Sequence, residues 1–428
     1  MHFLKQHLPF LVWGALCGMC WIPGEGAAQS DPFELPATDT VYDDRVQTIL
    51  FFQLHPEREA IPTMTLGRST GLDLYFDLLQ ASPEELYYTI YHFDQDWNPS
   101  TLQTNEYYPG FPERQIEDYL SSRGTELPFI HYRLHLNSSA VSVSGNFLIC
   151  VFDRWRRVLF TRRFFVTEQG FLVELDFVQP VNPDLRRSHQ ALNATVNTGK
   201  FDVANNGEEL SVMILQNGDP NTAIRHRLAN FFHGNSFRFN KSDDWLFPAR
   251  KEFRYKDLRT IRSRTPDIEL WEERDGEYHA WLVPDGVREG RPFYTETDIN
   301  GRFLIHNLDR FDPHSQSDYV RAHFTLKTGY PIDEEVYLYG AFSSWKLLPA
   351  FRMEYDPEKK AYLGNVLLKL GYYNYLFASE GPDGRPQTEA LEGNWYEAEN
   401  DYVVLVYYRP FGGRYDRLMF TGLFNSNQ

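Results

Sequence analysis

In the stretch DQDWNPS, Asp94, Asp96 and Asn98 stand two residues apart, the spacing at which one loop can offer oxygen ligands to calcium. The position that needs glycine in such a loop holds Pro99, and the twelfth position, where a glutamate would close the shell, holds Asn105. A polar turn is therefore expected there. His226 and His233 in HRLANFFH are seven apart and could share a helix face, but two imidazoles alone make a poor metal centre, so structural or solvent-facing roles are expected for both. Trp345, in GAFSSWK, could stack on a sugar ring with Tyr372, Tyr373 and Tyr375 as a platform; aromatic residues that alternate along strands more often belong to a core. Cys150 sits in GNFLICVFD, apolar on both alternating faces, which points to a buried, inert thiol. Carboxylate pairs for glycoside hydrolysis can be chosen at will from 59 acidic residues, so composition does not support one. No hydrolase, metalloprotease or phosphate-cradling signature is read, and no catalytic, metal or cofactor residue is assigned.

The elements that carry these residues read as strands. In LDLYFDLL, Leu72, Leu74, Phe76 and Leu78 share one face while Asp73 and Asp77 point the other way. HYRLHLN places Tyr132, Leu134 and Leu136 opposite His131, Arg133 and His135, the pattern of a half-buried antiparallel strand. One helix is expected early, over PERQIEDYLSS, with Ile116, Tyr119 and Leu120 at helical spacing after Pro112. Asn217-Gly218 and Asp275-Gly276 have the chemistry of hairpin turns. Gly170 punctuates the chain before FLVELDFV, and KTGYPIDEE reads as a linker. The expected fold is all-β, tandem immunoglobulin-like or early-set antiparallel sandwiches over residues 29–168, 169–328 and 329–428.

Residues 1–28 are excluded from that fold. One Lys, the apolar run LPFLVWGALCGMCW and the small residues GEGAAQS form the order of a secretory signal peptide, with cleavage expected after Ala28. Cleavage removes Lys5 and Glu25 together and leaves the charge of -17 unchanged; it also removes Cys17 and Cys20, so Cys150 remains alone. An exported chain with one cysteine has no intramolecular disulfide framework, and its stability must come from apolar cores. The acidic balance repels phosphate backbones and anionic lipid surfaces, which excludes nucleic acid as an expected partner. No other run is long and apolar enough to span a bilayer.

Two resemblances bear on function. The stretch from Val336 to Phe377, a strand followed by Gly-Ala-Phe, Trp345 and paired strands, is similar to the early-set sandwich of glycogen-binding modules. Over a much longer span, about residues 40–421, the segments YYTIYHFDQDWNPSTLQTNEYYPGF, SGNFLICVFD, LFTRRFFV, KEFRYKDL, YTETDINGRFLI, DYVRAHFTL and AENDYVVLVYYRPFGGRYDRL, in that order, resemble the type IX secretion plug protein family. Ala249 and Lys251 in ARKEFR depart from the family pattern there. This resemblance implies a non-enzymatic periplasmic protein, with no cofactor and no small-molecule substrate, that seals the outer-membrane translocon barrel of type IX secretion. Glu252, Arg254, Asp298, Asn300 and Arg302 match its motifs and are expected to be ion-pair and turn residues before partner contacts. The alternative is an exported glycan-binding accessory protein that uses the last domain.

Overall fold

The computed structural model describes residues 35–203, 208–241, 243–263 and 265–427; the expected signal peptide and its two cysteines lie outside the described residues. Residues 37–428 form one compact unit, built almost wholly of antiparallel strands arranged around three main cores.

The first sandwich packs two sheets. One runs in the order Thr40–Val41, Val158–Thr167, Gly145–Asp153, Leu86–Phe93, Arg114–Ile116, with Thr63–Thr65 added in parallel to Val158–Thr167; the other runs Val46–Phe52, Gly71–Leu78, Ile130–Asn137, Asp118–Ser121. The alternation in LDLYFDLL is realised, with Leu72, Leu74, Phe76 and Leu78 all fully buried. Gly145–Asp153 is buried at every residue, Cys150 included, as its two apolar faces imply.

The helix expected after Pro112 is not formed. Ile116 pairs with Leu86 in one sheet, while Asp118–Ser121 pairs with Ile130–Arg133 in the other, so the chain crosses between sheets at Glu117. Ile116 is buried and Tyr119 is 44% exposed, a division that one helix face would not give. Two short strand pairings outweigh a marginal isolated helix.

The second sandwich shares one core between two sheets, Leu172–Val178, His189–Asn197, Ser236–Phe239, Phe231–His233 on one side and Ile224–His226, Leu210–Gln216, Asp401–Tyr408, Arg417–Asn425 on the other. The third is a single long sheet in the order Arg254–Asp257, Gly371–Glu380, Val336–Tyr339, Arg352–Asp356, Ala361–Lys369, Tyr319–Lys327, Glu277–Leu282, Ile268–Arg274. Residues from across that order, among them Tyr375, Leu338, Phe324 and Ala280, meet in one core, so the sheet curls over itself. Asp275 and Gly276, with φ of 54° and 77°, make the expected two-residue hairpin turn between its last two strands.

These pairings cut across the expected boundary between residues 328 and 329. Tyr319–Lys327 pairs along its whole length with Ala361–Lys369, and Asp401–Tyr408 pairs with Leu210–Gln216. The last strands of the chain thus complete the second sandwich rather than the third. Alternation along a strand marks its buried faces but does not say which sheet it joins. In Asp401–Tyr408 both faces are buried: Tyr402, Val404 and Val406 enter the core of the second sandwich, while Val403, Leu405 and Tyr407 pack with Phe165 of the first.

Candidate functional site

Where the sandwiches meet, charged and hydroxyl side chains are buried in pairs. Asp77, on the polar face of its strand, does not reach solvent as its alternation implies. Its carboxylate accepts from Lys369 Nζ at 2.6 Å, Tyr319 Oη at 2.7 Å and His131 Nδ1 at 2.7 Å. Asp77 and His131 belong to the first sandwich, Lys369 and Tyr319 to the third. Burial opposes ionisation of Asp77, but the Lys369 ammonium and then His131 outweigh it and hold the carboxyl below the usual carboxylate range. Between the first and second sandwiches, Tyr407 Oη donates to Asn146 Oδ1 at 2.7 Å and Arg417 pairs with Glu168 at 2.5 Å. Between the second and third, Asp219 accepts from Arg250 at 2.8 Å and from Tyr339 Oη at 2.7 Å.

The motif residues lie within the third sandwich and at its junction with the second. Arg254 binds Glu392 Oε1 through Nε at 2.9 Å, Asp285 at 3.1 Å and the carbonyl of Gly286 at 2.8 Å. Arg288 holds the other oxygen of Glu392 at 2.6 Å. Burial raises the pKa of Glu392, but Arg254 and Arg288 outweigh it and bring it down to about 2. Arg302 reaches from the third sandwich to Asp401 of the second at 2.8 Å and to the carbonyl of Glu57 at 3.0 Å. Asn300 and Gly301 turn the chain through φ of 52° and 79°, and a Cβ on Gly301 would come within 2.3 Å of the Trp345 ring. Arg254, Arg302 and Asn300 therefore hold the ion-pair and turn positions expected of them.

Glu252 does not. Among the described residues no cation lies within ion-pair reach of it; its Oε1 accepts from the backbone of Glu399 at 3.4 Å and its Oε2 is buried without a partner. Burial, then the neighbouring Asp298, pushes Glu252 up to about 7; burial likewise raises Asp298 to about 6, against hydrogen bonds from the backbone of Asn300 and Phe253. Both folded values exceed the ordinary ones, 4.5 and 3.8, so the folded chain keeps protons that the unfolded chain releases. The stability this contributes is complete below the ordinary values and is lost as pH rises to about 7. Glu252→Gln is expected to match the native protein in a chemical melt at pH 4 and to exceed it by roughly 2 kcal/mol at pH 8. Equal midpoints at pH 8 would show that Glu252 carries no such penalty.

The remaining sequence candidates resolve plainly. Asp94 Oδ1 accepts from its own loop, from Asp96 N at 2.8 Å and Asn98 N at 2.9 Å, and Asp96 pairs with Arg225 and Arg227, so DQDWNPS is a polar turn. His226 and His233 lie on strands of different sheets. Among the described residues no group of three or more His, Cys, Asp or Glu is disposed to hold a metal ion. Trp345 is 7% exposed, packed edge-on against Tyr339 and Phe253; Tyr373 and Tyr375 point into the core, and Tyr372, on the other face, stacks on Tyr255. The four aromatic groups therefore do not form one sugar platform. One stretch does carry a hydrolase-type spacing: GRSTG, Gly67–Gly71, fits Gly-x-Ser-x-Gly. Its Ser69 is exposed on a turn that leads into the strand Gly71–Leu78, whereas the nucleophile elbow needs a strand-to-helix turn. Asp77, Lys369, Asp219 and Glu392 carried no signal in the sequence, because each acquires its partner only through packing of distant strands.

The outer surface is marked by aromatic loop tips. Phe111 is 82%, Trp155 59% and Phe411 100% exposed. Their loops are linked, since Arg156 pairs with Glu113 and Arg414 pairs with Glu106 at 2.6 Å. Arg154 and Arg157 lie over the Trp155 ring at 4.1 and 5.1 Å.

Fold and site define an all-β protein of interlocked sandwiches whose buried polar groups are ties. Residues 46–168, the first sandwich, match the family model of the Type 9 secretion system plug protein 1st domain, which bears out the resemblance over that span. A crystal structure of a hypothetical protein from Parabacteroides merdae ATCC 43184 superposes with a TM-score of 0.86 at 28% identity, covering 92% of this chain and 100% of that one. An ICAM-5 D1-D4 ectodomain fragment, 12% identical with a TM-score of 0.14 over 89% of this chain and 76% of that one, carries no argument. Among curated proteins none matches the sequence.

Proposed function

We propose that the chain is a non-enzymatic periplasmic plug that binds and seals the outer-membrane translocon barrel of type IX secretion. The match of the first sandwich to the plug-protein domain carries this reading. Exposed on the periplasmic side after export, the plug needs a wide body that keeps its shape against an opening, and buried ties between every pair of sandwiches supply that stiffness. No helix among the described residues is long and apolar enough to cross a membrane.

The contact surface assigned to the barrel is the end bearing Phe111, Trp155 and Phe411. Exposed aromatic groups flanked by arginine are the side chains that most often dominate protein interfaces. Full-length tagged protein is expected to recover the translocon barrel from detergent-solubilised outer membranes; recovery of none overturns the function. The triple variant Phe111→Ser, Trp155→Ala, Phe411→Ser is expected to keep the native melting temperature and to recover about tenfold less barrel or worse, as loss of one 2 kcal/mol anchor already implies. Full recovery by that variant would move the contact to another face while leaving the plug itself standing.

A further inference from the structure

The three sandwiches do not close completely where they meet. A cavity of about 430 Å³ remains, within the size range of small-molecule sites. Phe51, Trp97 and Phe165 of the first sandwich, Met213 and Leu215 of the second and Trp345 of the third form an apolar wall. Trp345 and the preceding Ser344 both hold φ of 55°, a backbone state costly for a bulky side chain and one that clusters at ligand-holding positions.

Four arginines and three carboxylates, Asp39, Glu59 and Asp96, line the cavity, and three of the arginines are paired. Arg163 takes Asp39 as its partner at 2.6 Å; Arg225 and Arg302 are paired with Asp96 and Asp401. Arg162, half-buried on the same strand as Arg163, has no carboxylate within ion-pair reach among the described residues, and its guanidinium donates only to the carbonyl of Thr161 at 2.9 Å. Close by, Lys346 Nζ contacts Thr40 Oγ1 at 3.0 Å and likewise has no carboxylate partner among the described residues. Burial pushes Arg162 down to about 10 even with Asp39 nearby. A half-buried guanidinium beside an apolar void is stabilised by an anion whose remainder is apolar. A free sugar lacks the charge, and inorganic phosphate lacks the apolar body.

We propose that this cavity is a binding site for an amphipathic carboxylate of the fatty-acid class, with the carboxylate on Arg162 and the chain along Phe165, Leu215 and Trp345. The site is separate from the aromatic loop tips, and its occupancy is independent of the plug function. Dodecanoate below its micellar concentration, titrated calorimetrically into the full-length processed protein, is expected to saturate at one per chain. Inorganic phosphate and dodecyltrimethylammonium are expected not to saturate. Arg162→Gln is expected to keep the native melting temperature and weaken dodecanoate by about tenfold or more, the loss of one charge-assisted contact. Leu215→Trp, which fills the cavity, is expected to abolish binding. Absence of saturable dodecanoate binding overturns the proposal, as does equal binding of the cationic amphiphile or undiminished affinity in Arg162→Gln.

Discussion

Lys369→Met is expected to lower stability by about 3–5 kcal/mol, because it leaves the Asp77 carboxylate buried between two sandwiches without its cation. The side chains of Asp77 and Lys369 are each only 1% exposed, so water cannot replace the lost partner. The geometry offers a control. Replacing both members, Asp77→Asn with Lys369→Met, removes both charges, and a buried pair exchanged for neutral groups of similar volume is often close to neutral in stability. Urea unfolding should therefore show a large loss for the single variant and recovery of most of it in the double. A single variant as stable as the native chain would mean that the pair is hydrated and does not tie the first sandwich to the third.

Trp345→Ala is expected to cost roughly 3–5 kcal/mol as well, through the cavity that truncation of a buried aromatic leaves. Its ring packs on Tyr339 and Phe253 and covers the backbone at Gly301, and Asn221 donates to its carbonyl at 2.8 Å. Release of the φ of 55° at Trp345 offsets little, since Ala at that φ is strained too. A fall in melting temperature is the expected readout. An unchanged melting temperature with loss of polysaccharide binding would restore the sugar-reading role that the stretch Val336–Phe377 suggests by its sequence.

Local pattern made much of this architecture legible. Period-two alternation marked Gly71–Leu78 and Ile130–Asn137 with the correct inward faces, and Asp275-Gly276 announced its hairpin. What failed were features set by distant partners. The alternation that put Leu74 inward also put Asp77 outward, and only the docking of a strand 292 residues away turns that outward face into an interior. Asp401–Tyr408 reads as a buried strand in any sheet, so its return to the second sandwich was hidden. Ile116, Tyr119 and Leu120 fit a helix by spacing, yet the chain between them changes sheet. Arg254 was identified as an ion-pair residue through family resemblance, whereas its partner Glu392, in a four-residue helix, was not.

The most direct test of plugging is permeability of the outer membrane to large hydrophilic antibiotics in a strain that lacks both this protein and the cargo shuttle. A sealing interface must exclude water over an area at least as large as the standard roughly 1,600 Å² of specific complexes, so the whole chain rather than one residue is the unit to remove and restore. With the barrel unplugged, sensitivity should rise, and restoring the full-length chain should return it to the level of a strain with a closed barrel. Sensitivity that stays high after restoration, with the chain produced and exported, would contradict the plug.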